Sequence, residues 1–271
     1  MHLNIITIYE TDDLRLKDYR NIREKDLVER QHKFIAEDKV ILSALLHSKE
    51  FSTLSLLMVR ERFPGVMPLL EATQPTCPIY QVPQKIMDDI AGFYVHRVIL
   101  GIGERKTPPS LEKFLHDFPK ETLTLVLCSI SNHDNMGAIF RTQPPLLVNG
   151  IIVDKTSCDP LYRKSIRVSA GAALKVPYTQ GTDINDIIAA LNDADFHLYA
   201  LSPSAPYTLK QAKITKRIAL ILGTEGDGLS TDILEKSDAL RIPMVDGFDS
   251  LNVATASGIA LAHFSDLDKL C

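Results

Sequence analysis

From residue 122 onward the chain repeats one pattern, a short apolar run, a loop and then a helical stretch, and few folds can absorb it. The runs are residues 123–128, 150–153, 197–201, 218–222 and 240–242, and residues 183–192 and 253–267 have helical spacing between or after them. Apolar strands alternating with helices predict an α/β fold with a largely parallel sheet covered on both faces. Ligands of such sheets lie beyond the carboxyl ends of the strands, so chemistry is to be sought in the loops that follow them.

The stretch 103–122, GERKTPPSLEKFLHDFPKET, holds three prolines and many charges and separates two differently patterned regions. We therefore expect a smaller α/β domain over residues 1–105, a linker over 106–121 and a second domain over 122–271, which suits a chain of 271 residues. In the first domain, residues 26–47 show helical spacing through Leu27, Phe34, Val40, Ile41, Leu45 and Leu46, and residues 54–59 read as a strand.

Composition narrows the function classes. No apolar run reaches the roughly 18 residues of a membrane span, and the first residues, MHLNIITIYETDD, turn acidic early and lack a basic leader region, so a cytoplasmic protein without membrane association is expected. Cys77, Cys128, Cys158 and Cys271 are scattered, without CxxC or Cys/His spacing, which predicts reduced thiols and no metal. The eight histidines form no HExxH, and GxSxG is absent. A net charge of −4 does not advertise a polyanion partner; residues 1–120 carry 17 basic and 17 acidic side chains and the remainder 13 and 17. Any polyanion-binding surface must be local. Arg163, Lys164 and Arg167, or Arg20, Arg23 and Lys25, are either phosphate contacts or solvated faces.

Three segments at strand ends could carry chemistry. In SNHDNMGAIFRT, Asn135 falls near a helix N-terminus and Arg141 about one and a half turns inside, residues that serve capping and solvation as readily as catalysis. Pro144 and Pro145 should end that helix just after Thr142. LGTEGDGLS spaces Gly223, Gly226 and Gly228 as GxxGxG, neither the dinucleotide fingerprint nor a P-loop. DSLNVATASGIALAHF puts Ser250 and Asn252 before a long apolar helix, where either could be a cap.

Taken together and in this order, the three segments resemble the motifs of the SpoU/TrmH family of RNA ribose methyltransferases. NMGAIFRT is similar to the first, with an Arg six positions after the Asn; LGTEGDGLS to the second, with Glu225 at its acidic position; SLNVATASGIAL to the third. The resemblance implies transfer of a methyl group from S-adenosylmethionine to a ribose 2′-hydroxyl of ribosomal or transfer RNA, by a homodimer whose catalytic domain contains a deep trefoil knot. It implies donor contacts from Leu201, Leu222, Gly223, Ile242, Leu251 and Asn252. It places Arg141 at the ribose or its phosphate, with Asn135, Glu225, Ser250 and Asn252 shaping the site; Glu225 acts there or ties the Arg141 loop to the second motif. Residues 1–105 resemble the ribosomal-protein-like substrate-binding domain of many members, through FIAEDKVILSALLHS, although Asp38 stands where those proteins usually have Gly. The alternative is a catalytically silent RNA-binding protein on the same fold, against which the retained Asn135, Arg141, Ser250 and Asn252 argue. An oxidoreductase reading lacks the glycine spacing.

Overall fold

A computed structural model describes residues 3–20, 27–28, 31–91, 99–146, 148–224, 226, 228–245, 247 and 249–265. The strands are β1 (Ile5–Thr7), β2 (Lys33–Glu37), β3 (Phe51–Val59), β4 (Ile79–Val82), β5 (Ile99–Arg105), β6 (Thr122–Leu127), β7 (Gly150–Asp154), β8 (Tyr178–Thr182), β9 (His197–Leu201), β10 (Tyr207–Thr208), β11 (Arg217–Leu222) and β12 (Asp238–Arg241). The helices are α1 (Lys39–Leu46), α2 (Phe63–Thr73), α3 (Gln84–Ala91), α4 (Leu111–His116), α5 (His133–Thr142), α6 (Arg163–Val168), α7 (Ile184–Asp193), α8 (Thr231–Glu235) and α9 (Val253–Phe264). They form two compact units, Met1–Lys106 with Asp159–Lys175, and Thr107–Cys158 with Val176–Cys271.

The first unit is built on a mixed sheet of order β1-β4-β3-β5-β2. The apolar end of β3 is buried on both faces: Leu56 and Met58 join Leu42, Val66 and Leu70, whereas Leu57 and Val59 join Tyr19, Ile35 and Val82. Of the helix expected over 26–47, Lys39–Leu46 forms α1, whereas Phe34, Ile35 and Ala36 are the buried centre of β2, paired antiparallel to β5, and residues 26, 29 and 30 lie outside the described residues. A strand buried on both faces has no polar alternation, so its apolar run merges with the helix that follows. Asp159–Lys175 completes this unit. α6 packs along β2, Leu161 and Ile166 are fully buried, Arg105 Nη1 donates to Asp159 at 2.6 Å, and Arg163 lies 3.6 Å from Glu37.

The second unit holds seven strands in the order β10-β12-β9-β11-β6-β7-β8, with every pairing parallel. All residues of β6 are buried, and Leu127 pairs with Leu222, so β6 and β11 end level. Residues 107–121, proline-rich at their start, carry α4, whose Leu111, Phe114 and Leu115 enter the core beside Ile187, Leu191 and Phe196. The i, i+3, i+4 spacing of those three residues makes an amphipathic turn inside a stretch that reads as a linker. β8, YTQGT, is a polar edge strand that the apolar pattern did not mark.

Asp38 explains why its position favours glycine. Its φ of 86° and ψ of 153° lie in a region essentially reserved for Gly, costing a side chain about 1–3 kcal/mol. Its carboxylate offsets part of this by accepting from the Lys39 amide at 2.5 Å at the N-cap of α1. Glycine caps nearly as well as Asp, within a few tenths of a kcal/mol. Asp38→Gly should therefore stabilise the protein by about 1 kcal/mol, read as a higher urea midpoint at unchanged m-value.

Candidate active site

Three strand ends and two helix starts build the site. After β6 the chain turns through Ser129, which adopts φ 58°, and this turn is pinned from below by Asp154 at the end of β7. Asp154 is 3% exposed and accepts from Ser129 N (3.1 Å), Ser157 N (2.8 Å), Ser157 Oγ (2.6 Å) and Thr156 Oγ1 (2.5 Å). Ser157 Oγ in turn accepts from the Ile130 amide at 2.9 Å. A buried carboxylate surrounded by donors is stable and directional, so the loop entering α5 is held in one geometry. Burial, and then the Asp154 carboxylate, push the Cys128 thiol above its ordinary range, leaving it a protonated core residue.

Asn132, not Asn135, is the N-cap of α5; its side chain accepts from Asp134 N (2.8 Å) and Asn135 N (3.4 Å). Asn135 sits one turn in and is 7% exposed. Its Oδ1 accepts from Asn252 Nδ2 at 2.8 Å, while Asn252 Oδ1 caps α9 by accepting from Ala254 N (3.0 Å) and Thr255 N (3.3 Å). One side chain thus caps the last helix and ties it to α5, 117 residues away in sequence. α5 ends at Thr142, as the prolines predict, and continues as a 3-10 turn over Pro144–Leu146.

The loop after β11 folds back on itself through an antiparallel bridge between Thr224 and Gly228. A Cβ on Gly223 would stand 2.8 Å from the Gly228 carbonyl carbon, so only glycine admits this close approach. Gly228 has φ 68°. This loop, the residues following β9 and β12, and the start of α9 enclose a cleft of about 250 Å³. The cleft lies at the carboxyl ends of β9, β11 and β12, where the sheet topology predicts ligands.

Leu201, Leu222, Gly223, Ile242, Ser250 and Leu251 all line it. Asn252 is adjacent, and Asn135 is reached through it. Arg141 is not in the lining: it is exposed on the last turn of α5, about 9 Å along the helix axis from Asn135, and makes no hydrogen bond or ion pair among the described residues. Glu225 lies outside the described residues, as do Arg23, Lys25 and Cys271. Lys164 and Arg167 are exposed on α6 in the first unit, and Arg20 donates to the Asp13 carbonyl at 2.5 Å. Sequence reading missed Ser202, Pro203 and Ser204, which form one wall, and Thr224 and Met244. The signal was available, since 202–204 directly follow an apolar strand. No described lining side chain is charged. Among the described residues no cluster of His, Cys, Asp or Glu could hold a metal ion, and no helix is long and apolar enough to cross a membrane.

A sequence model of the SpoU rRNA Methylase family matches residues 122–262. An uncharacterised tRNA/rRNA methyltransferase of Mycobacterium bovis is 33% identical over 267 residues, covering 95% of this chain and 91% of the relative. A 23S rRNA (guanosine-2′-O-)-methyltransferase of Vibrio parahaemolyticus is 31% identical over 204 residues, 72% of this chain and 81% of the relative. The crystal structure of an AdoMet-bound rRNA methyltransferase from Sinorhizobium meliloti superposes with a TM-score of 0.82 at 23% identity, over 99% of both chains, and shares the fold.

Removing the Asn252 side chain takes away a cap, worth about 1 kcal/mol, and leaves a buried acceptor on Asn135 without its donor, about 1–3 kcal/mol. Asn252→Ala should destabilise the protein by about 2–3 kcal/mol. Asn252→Ser, which restores the cap but has no amide to donate to Asn135, should recover about 1 kcal/mol of that in urea denaturation.

Proposed function

The chain belongs to the SpoU rRNA methylase family, and from that premise we propose that it transfers a methyl group from S-adenosylmethionine to a ribose 2′-hydroxyl of a structured RNA. The observation that carries the reading is the Asn135–Asn252 bond, which draws the Asn-Gly-Arg helix to a cleft lined by the other two motifs. The likeness to a relative named for 23S rRNA guanosine favours ribosomal over transfer RNA as the substrate to test first.

The cleft fits the donor. Its apolar walls, Leu201, Leu222, Ile242 and Leu251, suit a heterocycle, and the side-chain-free approach at Gly223 leaves main chain to meet the donor's polar groups. Its volume is close to the lower end, ~300 Å³, of clefts for ligands of this size. When bound, S-adenosylmethionine supplies a methyl group activated by its sulfonium sulfur. The protein's part is to hold donor and ribose in line and to stabilise charge as the hydroxyl loses its proton. Asn135, Ser250, Asn252 and, through its place in the second motif, Glu225 shape the acceptor side. A guanidinium offers only N–H donors and no acceptor, so Arg141 serves as a clamp for phosphate or developing alkoxide rather than as a base. Its exposure, with no partner among the described residues, leaves it available for that clamp.

Residues 1–105 take the role of RNA recognition in this proposal, with the exposed Lys164 and Arg167 as phosphate contacts. The reading includes the family's trefoil knot, a cytoplasmic location and a homodimer. Ile259, 42% exposed on the outer side of α9 with Thr255, Ala262 and His263, supports a partner surface there.

Arg141→Ala should reduce methyl transfer from tritiated donor by at least about a hundredfold, the scale of losing one transition-state contact, while calorimetry finds donor affinity within a few-fold of the parent. Loss of both would make Arg141 a structural residue, and donor binding by the parent without transfer to any RNA would favour the silent RNA-binding protein. Light scattering should return twice the monomer mass of 30.2 kDa at micromolar concentration, and a monomer there would overturn the dimer.

A further inference from the structure

We propose that Arg241 is a positioning residue of the cleft: it holds the arch over residues 202–206 in the shape that receives the donor, an inference resting on the donor-site reading above. The pairing of β12 requires such an arch. Leu240 pairs with Leu201 of β9 on one flank and with Tyr207 of β10 on the other. The chain must therefore cross from one side of β12 to the other within residues 202–206, and Ser202, Pro203 and Ser204 of this crossing form a wall of the cleft.

A crossing of this kind has few ways to hold itself. Pro203 and Pro206 have no N–H to donate. The Ala205 amide is used within the arch, donating to Ser202 O at 3.2 Å, and Ser202 N donates to Leu240 O at 3.0 Å. The Ser202 and Ser204 hydroxyls bond to each other at 3.0 Å, and the two consecutive carbonyls that follow converge on a single donor. Arg241 Nη1 donates to Ala205 O and to Pro206 O, each at 2.6 Å. Charge-assisted bonds of this length are among the stronger polar contacts a chain can make. Arg241 stands at the last position of β12, and the next residue, Ile242, already lines the cleft. The guanidinium thus joins two walls that arrive from different parts of the sequence.

Arg241 does not line the cleft, so its contribution comes through the arch. Without it the arch must be ordered by the donor itself, and this ordering weakens binding without altering the alignment once the site is saturated. In the full-length protein, Arg241→Met should raise the donor Kd and the donor KM about tenfold, leave kcat at saturating donor within about twofold, and remove hydrogen-exchange protection from the 202–208 peptide in the donor-free state. Arg241→Lys keeps one cation able to bridge both carbonyls and should recover most of the affinity; it also keeps the test valid if the Met variant folds poorly. S-adenosylmethionine binding is measured by calorimetry on the parent and both variants.

Donor affinity and 202–208 protection unchanged in Arg241→Met would overturn the assignment. So would a fall in kcat with Kd unchanged, because that places Arg241 at the reacting atoms. If the parent itself binds no donor, the donor-site reading fails and this inference with it, whereas binding by parent and Met variant alike removes only the role of Arg241.

Discussion

Parallel pairing of β6, β11, β9 and β12 sends four carboxyl ends to one edge of one sheet, and the site is a consequence of that single constraint. A parallel sheet covered by helices demands strands that are apolar on both faces, which the body of β11 supplies, and β6 supplies with Thr122 and Thr124 as its polar side chains, their hydroxyls donating to the Pro119 and Gly150 carbonyls. Because Leu127 and Leu222 are in register, the loops that leave them start from the same level. The polar groups of the site appear where the strands stop, and they meet one another there. The Asp154 carboxylate below the first loop and the Asn135–Asn252 pair above it are both interactions of strand or helix ends.

Those end interactions do more than satisfy hydrogen bonds. Asn252 is a helix cap and an inter-helix tie at once, so the geometry of α9 and the position of α5 cannot change separately. Arg241 makes a comparable link between the strand it ends and the arch that crosses it. In both cases one side chain joins segments far apart in the chain, and the cleft sits between the joined pieces.

The parts legible in the sequence were those governed by local pattern. The runs of β6, β7, β9, β11 and β12 announced themselves because burial on both faces leaves uninterrupted apolar stretches, and the three motifs lay at their ends. β8 was not legible: YTQGT is polar, contains Gly181 at φ 98°, and owes its strand conformation to pairing with β7. β2 was read as helix because its buried triplet runs straight into α1. The Asn135–Asn252 bond and the crossing at β12 depend on residues brought together by topology, which no spacing rule encodes. Asp38 lay between these cases. Its departure from glycine was visible, but its cost required a backbone angle.

The assignment of Asp159–Lys175 to the first unit has a bearing on synthesis. Phe34, Ile35 and Ala36 of β2 leave the ribosome early, yet α6, Leu161 and Ile166, which complete their unit, follow only after β6, α5 and β7 of the other. The interval between residues 106 and 175 takes roughly 3–14 s at ordinary elongation rates. Over that interval β2 is an edge strand without its cover, a template for pairing with another chain. The N-terminal unit therefore cannot finish first merely because it is made first, and its maturation is coupled to the emergence of the first two strands of the catalytic sheet.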